Sequence, residues 1–404
     1  MPGKSALHPY LTARIPGTGG VLKESPDDFV VIEIPAYEPS GSGEHLYLTF
    51  EKRGITTLEA IRRIAGRLKV PERDVGYAGM KDAVGVTRQT ISLQGTRAED
   101  ALALQLDGIT ACSAIRHTNK LKPGHLKGNR FLITVRGVTP AAEQSAAAIL
   151  DVLLRRGVPN YFGFQRYGAQ GNSHLIGGAM RGGDGRGAGD GLLGGPAAVR
   201  EAEWSSAIAA YRQGDLAAAV RHMPRHCRTE RDVLQRLSVR PDAWAKAFAA
   251  VHPRLKKLYL SAFQSFLFDK VVEMRLETID RVVEGDLAWK HLNGACFLVE
   301  DAETEAPRAE SFEISPSGPM FGSRMKQPAG TVLALEQRAL EDAGLSPDAF
   351  APGSGAGLEG ERRPLRVPLG DAVCRVEGDL LKLEFSLPRG SYATSVVREI
   401  TKTF

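Results

Sequence analysis

The chain is poor in cysteine, has no phosphate-binding loop and has no long apolar run, and each absence removes a class of function. Its four cysteines, Cys112, Cys227, Cys296 and Cys374, stand far apart in 404 residues with no CxxC spacing. That excludes a disulfide framework and a zinc ribbon, and leaves buried, reduced thiols as the expected state. No GxxxxGK[ST] or HExxH occurs, and no GxGxxG follows a predicted strand. Walker-type nucleotide hydrolysis, dinucleotide redox chemistry and zinc proteolysis therefore lack their residues. His222, His226 and Cys227 are a tempting metal cluster, but Pro224 interrupts the helix that would align them, so no metal is expected. Nothing approaches the ~20 apolar residues of a membrane span. The opening twenty residues have no apolar core either, and a cytoplasmic location is the expectation.

What is present is ordinary in bulk, with 43% apolar and 25% charged residues. The length favours two domains. A net charge of +5 permits a polyanionic partner without demanding one.

The runs DFVVIEIPA and HLYLTFEKR, separated by the turn-forming EPSGSGE, predict two strands. TTLEAIRRIAGRLKV brings Leu58, Ile61, Ile64, Ala65 and Leu68 onto one helical face, with Thr56 and Glu59 as a capping box. GVTRQTISLQG and GNRFLITVRGV read as strands, RAEDALALQL as a helix, and Thr139-Pro140 opens a helix that closes at Arg156-Gly157. From Ile176 to Gly195, IGGAMRGGDGRGAGDGLLGG is so rich in glycine that it predicts a mobile loop. Helical periodicity follows near 197–213, 229–237, 241–250 and 253–279. The chain then returns to strands in RRPLRVPLGDAVCRVEGDLLKLEFSLP and closes with a helix, SYATSVVREI, capped by Ser391. This order predicts an α+β fold: a mixed, mainly antiparallel sheet in a domain made of residues 1–157 and 356–404, interrupted by a largely helical insert over 158–355.

Two stretches carry concentrated positive charge. RHTNKLKPGHLKGNR holds Arg116, Lys120, Lys122, Lys127 and Arg130 with no acid among them, directly before a strand. RHMPRHCRTERDVLQR lies in the insert. A solvated loop is the bland reading of such a run, and contact with a nucleic-acid backbone is the functional one.

YAGMKDAVGVTRQT, from Tyr77 to Thr90, places Lys81-Asp82 on a glycine-flanked turn before an alternating strand. A lone aspartate there reads as a turn former. Thr87 and Gln89, two apart, share the strand face opposite Arg88. With Lys81 and Asp82 they make a polar cluster that a plain core strand would not need.

AGMKDAVGVTRQ resembles the GxKDxxGxTxQ motif of the TruD class of pseudouridine synthases, which isomerise a uridine in transfer RNA. GHLKGNRFLI is similar to the family's GNxF segment, VPNYFGFQRYG to NxFGxQRFG, QSFLFDKVV to QSxxFN, and LPRGSYATSVVREI to its C-terminal segment. These matches run in order from Lys23 to Ile400. Tyr167 and Tyr392 stand where many members carry phenylalanine, and Asp269 replaces a frequent asparagine.

The resemblance implies a pseudouridine synthase catalytic domain with an inserted TRUD domain. It implies an isomerase acting on position 13 in the D-arm, with Asp82 as the essential carboxylate. Asp82 either attacks the sugar or base, or removes a sugar proton to leave a glycal-like intermediate. Both roles need an ionised carboxylate, and the neighbouring Lys81 would counter the desolvation that keeps it protonated. Lys23 matches the family's active-site lysine, and Phe29, Asn129 and Tyr392 its uracil pocket. Arg166 is a candidate phosphate contact or support. The isomerisation is redox-neutral and uses no group donor, so no cofactor is expected. Transfer RNA is the expected partner, and with no heptad or exposed apolar repeat a monomer is expected. A competing reading is an RNA-binding protein of this fold without activity. A two-carboxylate hydrolase would need a second acid, and none stands out beside Asp82.

Overall fold

A computed structural model describes residues 8–81, 83–168, 170–194, 202–350 and 358–403. Asp82 and the expected 355/356 junction lie outside the described residues. The chain divides into two units, residues 1–158 with 367–404 and residues 159–366.

The first unit is built on one ten-stranded sheet. Its strands are β1 (Val21–Leu22), β2 (Phe29–Pro35), β3 (His45–Arg53), β4 (Gly76–Tyr77), β5 (Val86–Gln94), β6 (Gln105–Leu106), β7 (Ile109–His117) and β8 (Leu126–Arg136), with β15 (Gly370–Glu377) and β16 (Leu380–Pro388) from the end of the chain. The order is β15-β16-β8-β2-β5-β3-β7-β6, with β1 also on β8 and β4 also on β5. Only β2 and β5 run parallel, over Val30–Val86, Val31–Thr87 and Ile32–Arg88.

Helix α1 (Thr57–Leu68) buries Ala60, Ile61, Ile64 and Ala65 against Leu46, Leu48, Phe50, Ile91 and Leu93. The Glu59 N–H donates to the Thr56 hydroxyl at 3.1 Å, but the Glu59 carboxylate turns to Arg62 and Arg63, so the capping box is half made. After the short α2 (Ala98–Leu102), α3 (Ala142–Arg156) and α13 (Ala393–Thr401) share a core with Phe29, Val31, Phe131, Ile133 and Phe385. The cap of α13 is Tyr392 rather than Ser391, because the Ser391 N–H closes the turn after β16 by donating to the Pro388 carbonyl. The thiols are not all buried as expected: Cys112 is exposed on β7, since it falls on the outward side of that strand's alternation.

The chain enters the second unit through β9 (Val158–Pro159) and leaves it through β14 (Arg366–Val367). Helices dominate this unit: α4 (Ser173–Arg181), α5 (Gly185–Leu193), α6 (Ala202–Arg212), α7 (Leu216–His222), α8 (Arg228–Val239), α9 (Trp244–Ala249), α10 (Pro253–Met274), α11 (Ala302–Glu310) and α12 (Gly330–Glu341). It also contains a sheet that periodicity did not reveal, β11 (Cys296–Leu298), β10 (Leu287–Lys290), β12 (Ile314–Met320) and β13 (Glu361–Pro364) in that order. β12 reads ISPSGPM and is buried throughout, so it shows no alternation. β13 pairs with β12, and residues 358–366 therefore belong to this unit instead of the returning one.

The glycine-dense stretch forms helices α4 and α5 where a loop was expected. A Cβ on Gly177 would lie 2.1 Å from the Tyr259 carbonyl oxygen on α10, and one on Gly189 2.4 Å from the Trp244 ring. The glycines mark places where helices touch backbone to backbone or backbone to ring, which outweighs their poor helix propensity.

Candidate active site

The segment KESPDDF builds one side of the site in the first unit. Ser25 and Asp28 cap the turn Pro26–Asp28 reciprocally, and Asp28 also takes the Arg136 guanidinium of β8 in a bidentate pair at 2.7 Å. Arg136 holds the Asp28 carboxyl below the usual carboxylate range. This clamp leads the chain into Phe29 at the head of β2. Lys23 has a left-handed backbone, φ +62°, and its ammonium lies 4.2 Å from the centre of the Phe29 ring. Such a conformation at a non-glycine residue costs on the order of 1–3 kcal/mol. Gly85, at φ +126°, is required by close approach, because a Cβ there would sit 2.5 Å from the Phe29 carbonyl oxygen.

The other side is the turn between β4 and β5. On its β2 side, β5 pairs with β2 only as far as Arg88, and β4 takes over at Ile91 and Ser92. In the gap the Thr90 N–H donates to Glu33 Oε2 at 3.0 Å. Glu33 Oε1 is 3.0 Å from the Lys81 ammonium, with side-chain exposures of 6% and 10%. The Lys81 N–H donates to the Thr57 hydroxyl at 2.8 Å, and that hydroxyl donates to Gln89 Oε1 at 3.1 Å. The shared face of Thr87 and Gln89 is thus tied to the Lys81 backbone through α1, and both side chains are buried.

Asn129 faces Glu33 across the β2–β8 ladder and Leu387 across the β8–β16 ladder. It is buried, and its Oδ1 has no hydrogen-bond partner among the described residues. The Gln89 Nε2 is buried in the same condition. Tyr392 is half-buried at the start of α13, four residues beyond the Pro388–Gly128 pair that ends β16. Phe29 is a core residue against Phe131, at 6.3 Å between ring centres, with Lys23 over its ring. Its surroundings are those of a platform for Lys23 more than of a free stacking face.

The basic run divides in the structure. Lys120 donates to the Arg73 carbonyl at 3.1 Å, Arg130 pairs with Glu384, and Arg116 donates to the Thr96 carbonyl at 2.8 Å. Lys122 and Lys127 are exposed and form no ion pair with a described residue. Arg166 lies in the second unit, where its Nε donates to Ser265 Oγ at 2.8 Å and its Nη2 to Ser261. Those bonds occupy much of a guanidinium that the sequence offered to phosphate. A pocket in the first unit is lined by Glu33, Tyr37, Tyr47, Thr49, Thr90 and His125 among others, and none of Lys23, Phe29, Asn129 or Tyr392 lines it.

Glu33 and Thr57 were not singled out from the sequence. Glu33 had a readable signal: Phe29, Val31 and Glu33 have one parity on β2, so an acid follows two core residues onto the buried face.

Fold and site together define an α+β protein whose polar site of lysines, amides and a buried carboxylate is carried by the central strands of one mainly antiparallel sheet. The sequence matches the family tRNA pseudouridine synthase D (TruD) over residues 7–400. It is 60% identical over 397 residues to tRNA pseudouridine synthase D of Geotalea daltonii, covering 98% of this chain and 100% of that one. To its counterpart in Geobacter sulfurreducens it is 62% identical over 393 residues, covering 97% and 96%. A crystal structure from Methanosarcina mazei assigned to the same protein superposes with a TM-score of 0.85 at 25% identity, covering 100% of this chain and 99% of that one. The chain belongs to the TruD family.

Proposed function

We propose that this chain converts uridine to pseudouridine in transfer RNA, at position 13 of the D-arm, with Asp82 as the essential carboxylate and the target base flipped out of its stack. Family membership supports the reaction and the substrate class. The observation that carries the site is the buried Asn129 Oδ1, which has no partner among the described residues and lies on β8 directly opposite Glu33 of β2, the strand that Phe29 opens. A buried acceptor left unmade costs ~1–3 kcal/mol, and an uracil N–H would satisfy it. Flipping the base into such a site exchanges stacking for these hydrogen bonds.

Asp82 acts on the sugar or base while ionised, and Lys23 supplies positive charge toward the anionic substrate. Lys122 and Lys127 add contacts to the phosphate backbone. On this reading the enzyme is a monomer that works on transfer RNA in the cytoplasm and needs no cofactor. No described helix is long and apolar enough to cross a membrane.

The test is Asp82→Asn, which keeps the side chain's shape and removes its charge. RNA affinity is expected to survive, and single-turnover pseudouridine formation is expected to fall by several orders of magnitude. Activity within about tenfold of wild type would sink the assignment. Joint loss of RNA binding and thermal stability would make Asp82 a structural turn residue.

A further inference from the structure

We propose that Glu33 is a positioning residue that holds Lys81 in place after β4, which makes Lys81 an internal strut rather than the cation that meets the substrate. The inference rests on reading Asp82, the next residue in the chain, as the catalytic group. It reassigns Lys81, whose neighbourhood to Asp82 alone suggested a charge offered to the reaction.

The geometry places one carboxylate at two tasks. Glu33 stands where β2 and β5 part, after only three parallel pairs, and its Oε2 takes the Thr90 N–H that no strand reaches on that side. Its Oε1 meets the Lys81 ammonium at 3.0 Å as an ion pair, without hydrogen-bond alignment. The gap between the strands and the turn that emerges beside it are thus closed by one side chain. The Lys81 backbone is fastened independently, by its N–H to Thr57. Lys81 is thus held by both its backbone and its side chain.

The charges of the two lysines differ in the same way. With both side chains nearly inaccessible, the Glu33–Lys81 pair is close to neutral as seen from outside, since each charge is compensated at contact distance. A phosphate or a developing anion gains little from a cation already matched this way. Lys23 is different: its ammonium rests on an aromatic ring and forms no ion pair with a described residue. The two lysines thus separate into a structural cation and a functional one.

The experiment compares Lys81→Met, Glu33→Gln, their combination and Lys23→Met. Single-turnover pseudouridine formation, the RNA dissociation constant over a salt series, and the melting temperature are read on each. A strut predicts that Lys81→Met and Glu33→Gln each slow the single turnover by about tenfold or more while RNA affinity and its salt slope stay within error. The combination should be no slower than the worse single variant, because it leaves no unpaired charge inside. Lys23→Met should flatten the salt slope by ~0.7–0.9.

A flattened slope in Lys81→Met would overturn the proposal, since Lys81 would then touch phosphate. So would a Glu33→Gln enzyme of wild-type rate, or rate losses that simply multiply in the combination. If Glu33→Gln does not fold, Glu33→Asp decides: the shorter carboxylate keeps its charge but cannot span both partners, and a wild-type single-turnover rate would refute the positioning role. Asp82→Asn run alongside separates the two readings. An active Asp82→Asn enzyme would remove the catalytic premise, whereas the Glu33–Lys81 coupling is measured by its own cycle.

Discussion

Replacing Tyr167 by phenylalanine removes one hydroxyl from a pair that the second unit seals from water. Asp269 on α10 has 0% exposure and Tyr167 2%, and Asp269 accepts hydrogen bonds from the Tyr167 hydroxyl and, at 3.0 Å, from the Phe162 N–H. Burial and the carboxylate push the Tyr167 hydroxyl far above its usual range, so it remains a donor. A hydrogen bond to a charged group is worth ~1.5–3 kcal/mol, and a carboxylate oxygen stripped of its donor falls in the same range. Tyr167→Phe should therefore cost ~2–3 kcal/mol. Asp269→Asn removes the buried charge and lets the amide donate to the hydroxyl instead, and should cost ~1 kcal/mol. Combining them leaves no buried charge to satisfy. The double variant should be more stable than Tyr167→Phe alone, with a coupling energy of ~1–2 kcal/mol. Trp204, Trp244 and Trp289 are the three tryptophans of the chain and all lie in the second unit, so urea unfolding followed by tryptophan fluorescence reports on this unit alone. Single losses that add within ~0.5 kcal/mol would refute the pairing.

Gly177→Ala should destabilise the second unit by ~1–3 kcal/mol, since the new Cβ meets the Tyr259 carbonyl; Gly66→Ala in α1, with open space around it, should stabilise by ~0.5–1 kcal/mol in circular-dichroism unfolding. Stabilisation in both would mean that α4 does not press on α10. Burial, with Arg366 nearby, pushes His291 down to about 4, while an unfolded histidine takes its proton near ~6.5. Its neutral form therefore contributes stability above pH ~6.5 that is lost as the pH falls toward ~4, at up to ~1.4 kcal/mol per unit and less where solvent reaches the half-buried ring. His291→Gln should flatten the fluorescence-monitored midpoint across that window, and an unchanged slope would count against it. Lys122→Ala and Lys127→Ala should each flatten the salt dependence of transfer RNA binding by ~0.7–0.9 log units. Lys120→Ala should flatten it less, because one of its ammonium donors already goes to the Arg73 carbonyl, and a larger effect there than at Lys122 or Lys127 would refute the division.

Local pattern by itself determined β2, β3, β5 and β8, through β-branched and aromatic runs bounded by turn residues, and it determined α1 through its apolar stripe and Thr56 cap, although Leu58 falls outside that stripe and is exposed. The motif around Lys81-Asp82 and the segments that resemble the family were equally legible, since they are contiguous. Tertiary structure alone decided the rest. Glycines from 177 to 191 spelled a loop until the face of α10 gave them something to pack against. β12, wet on neither face, had no alternation to read. Tyr167 and Asp269 stood as two unrelated departures from the family pattern and are one buried interaction. Glu33 and Lys81 meet because β2 and β5 run parallel for three pairs and then part, and a carboxylate fills the gap. Periodicity reports which side of an element faces water; which charge lies opposite which is set only when the chain brings distant strands together, and that pairing determines whether a lysine is a strut or a ligand.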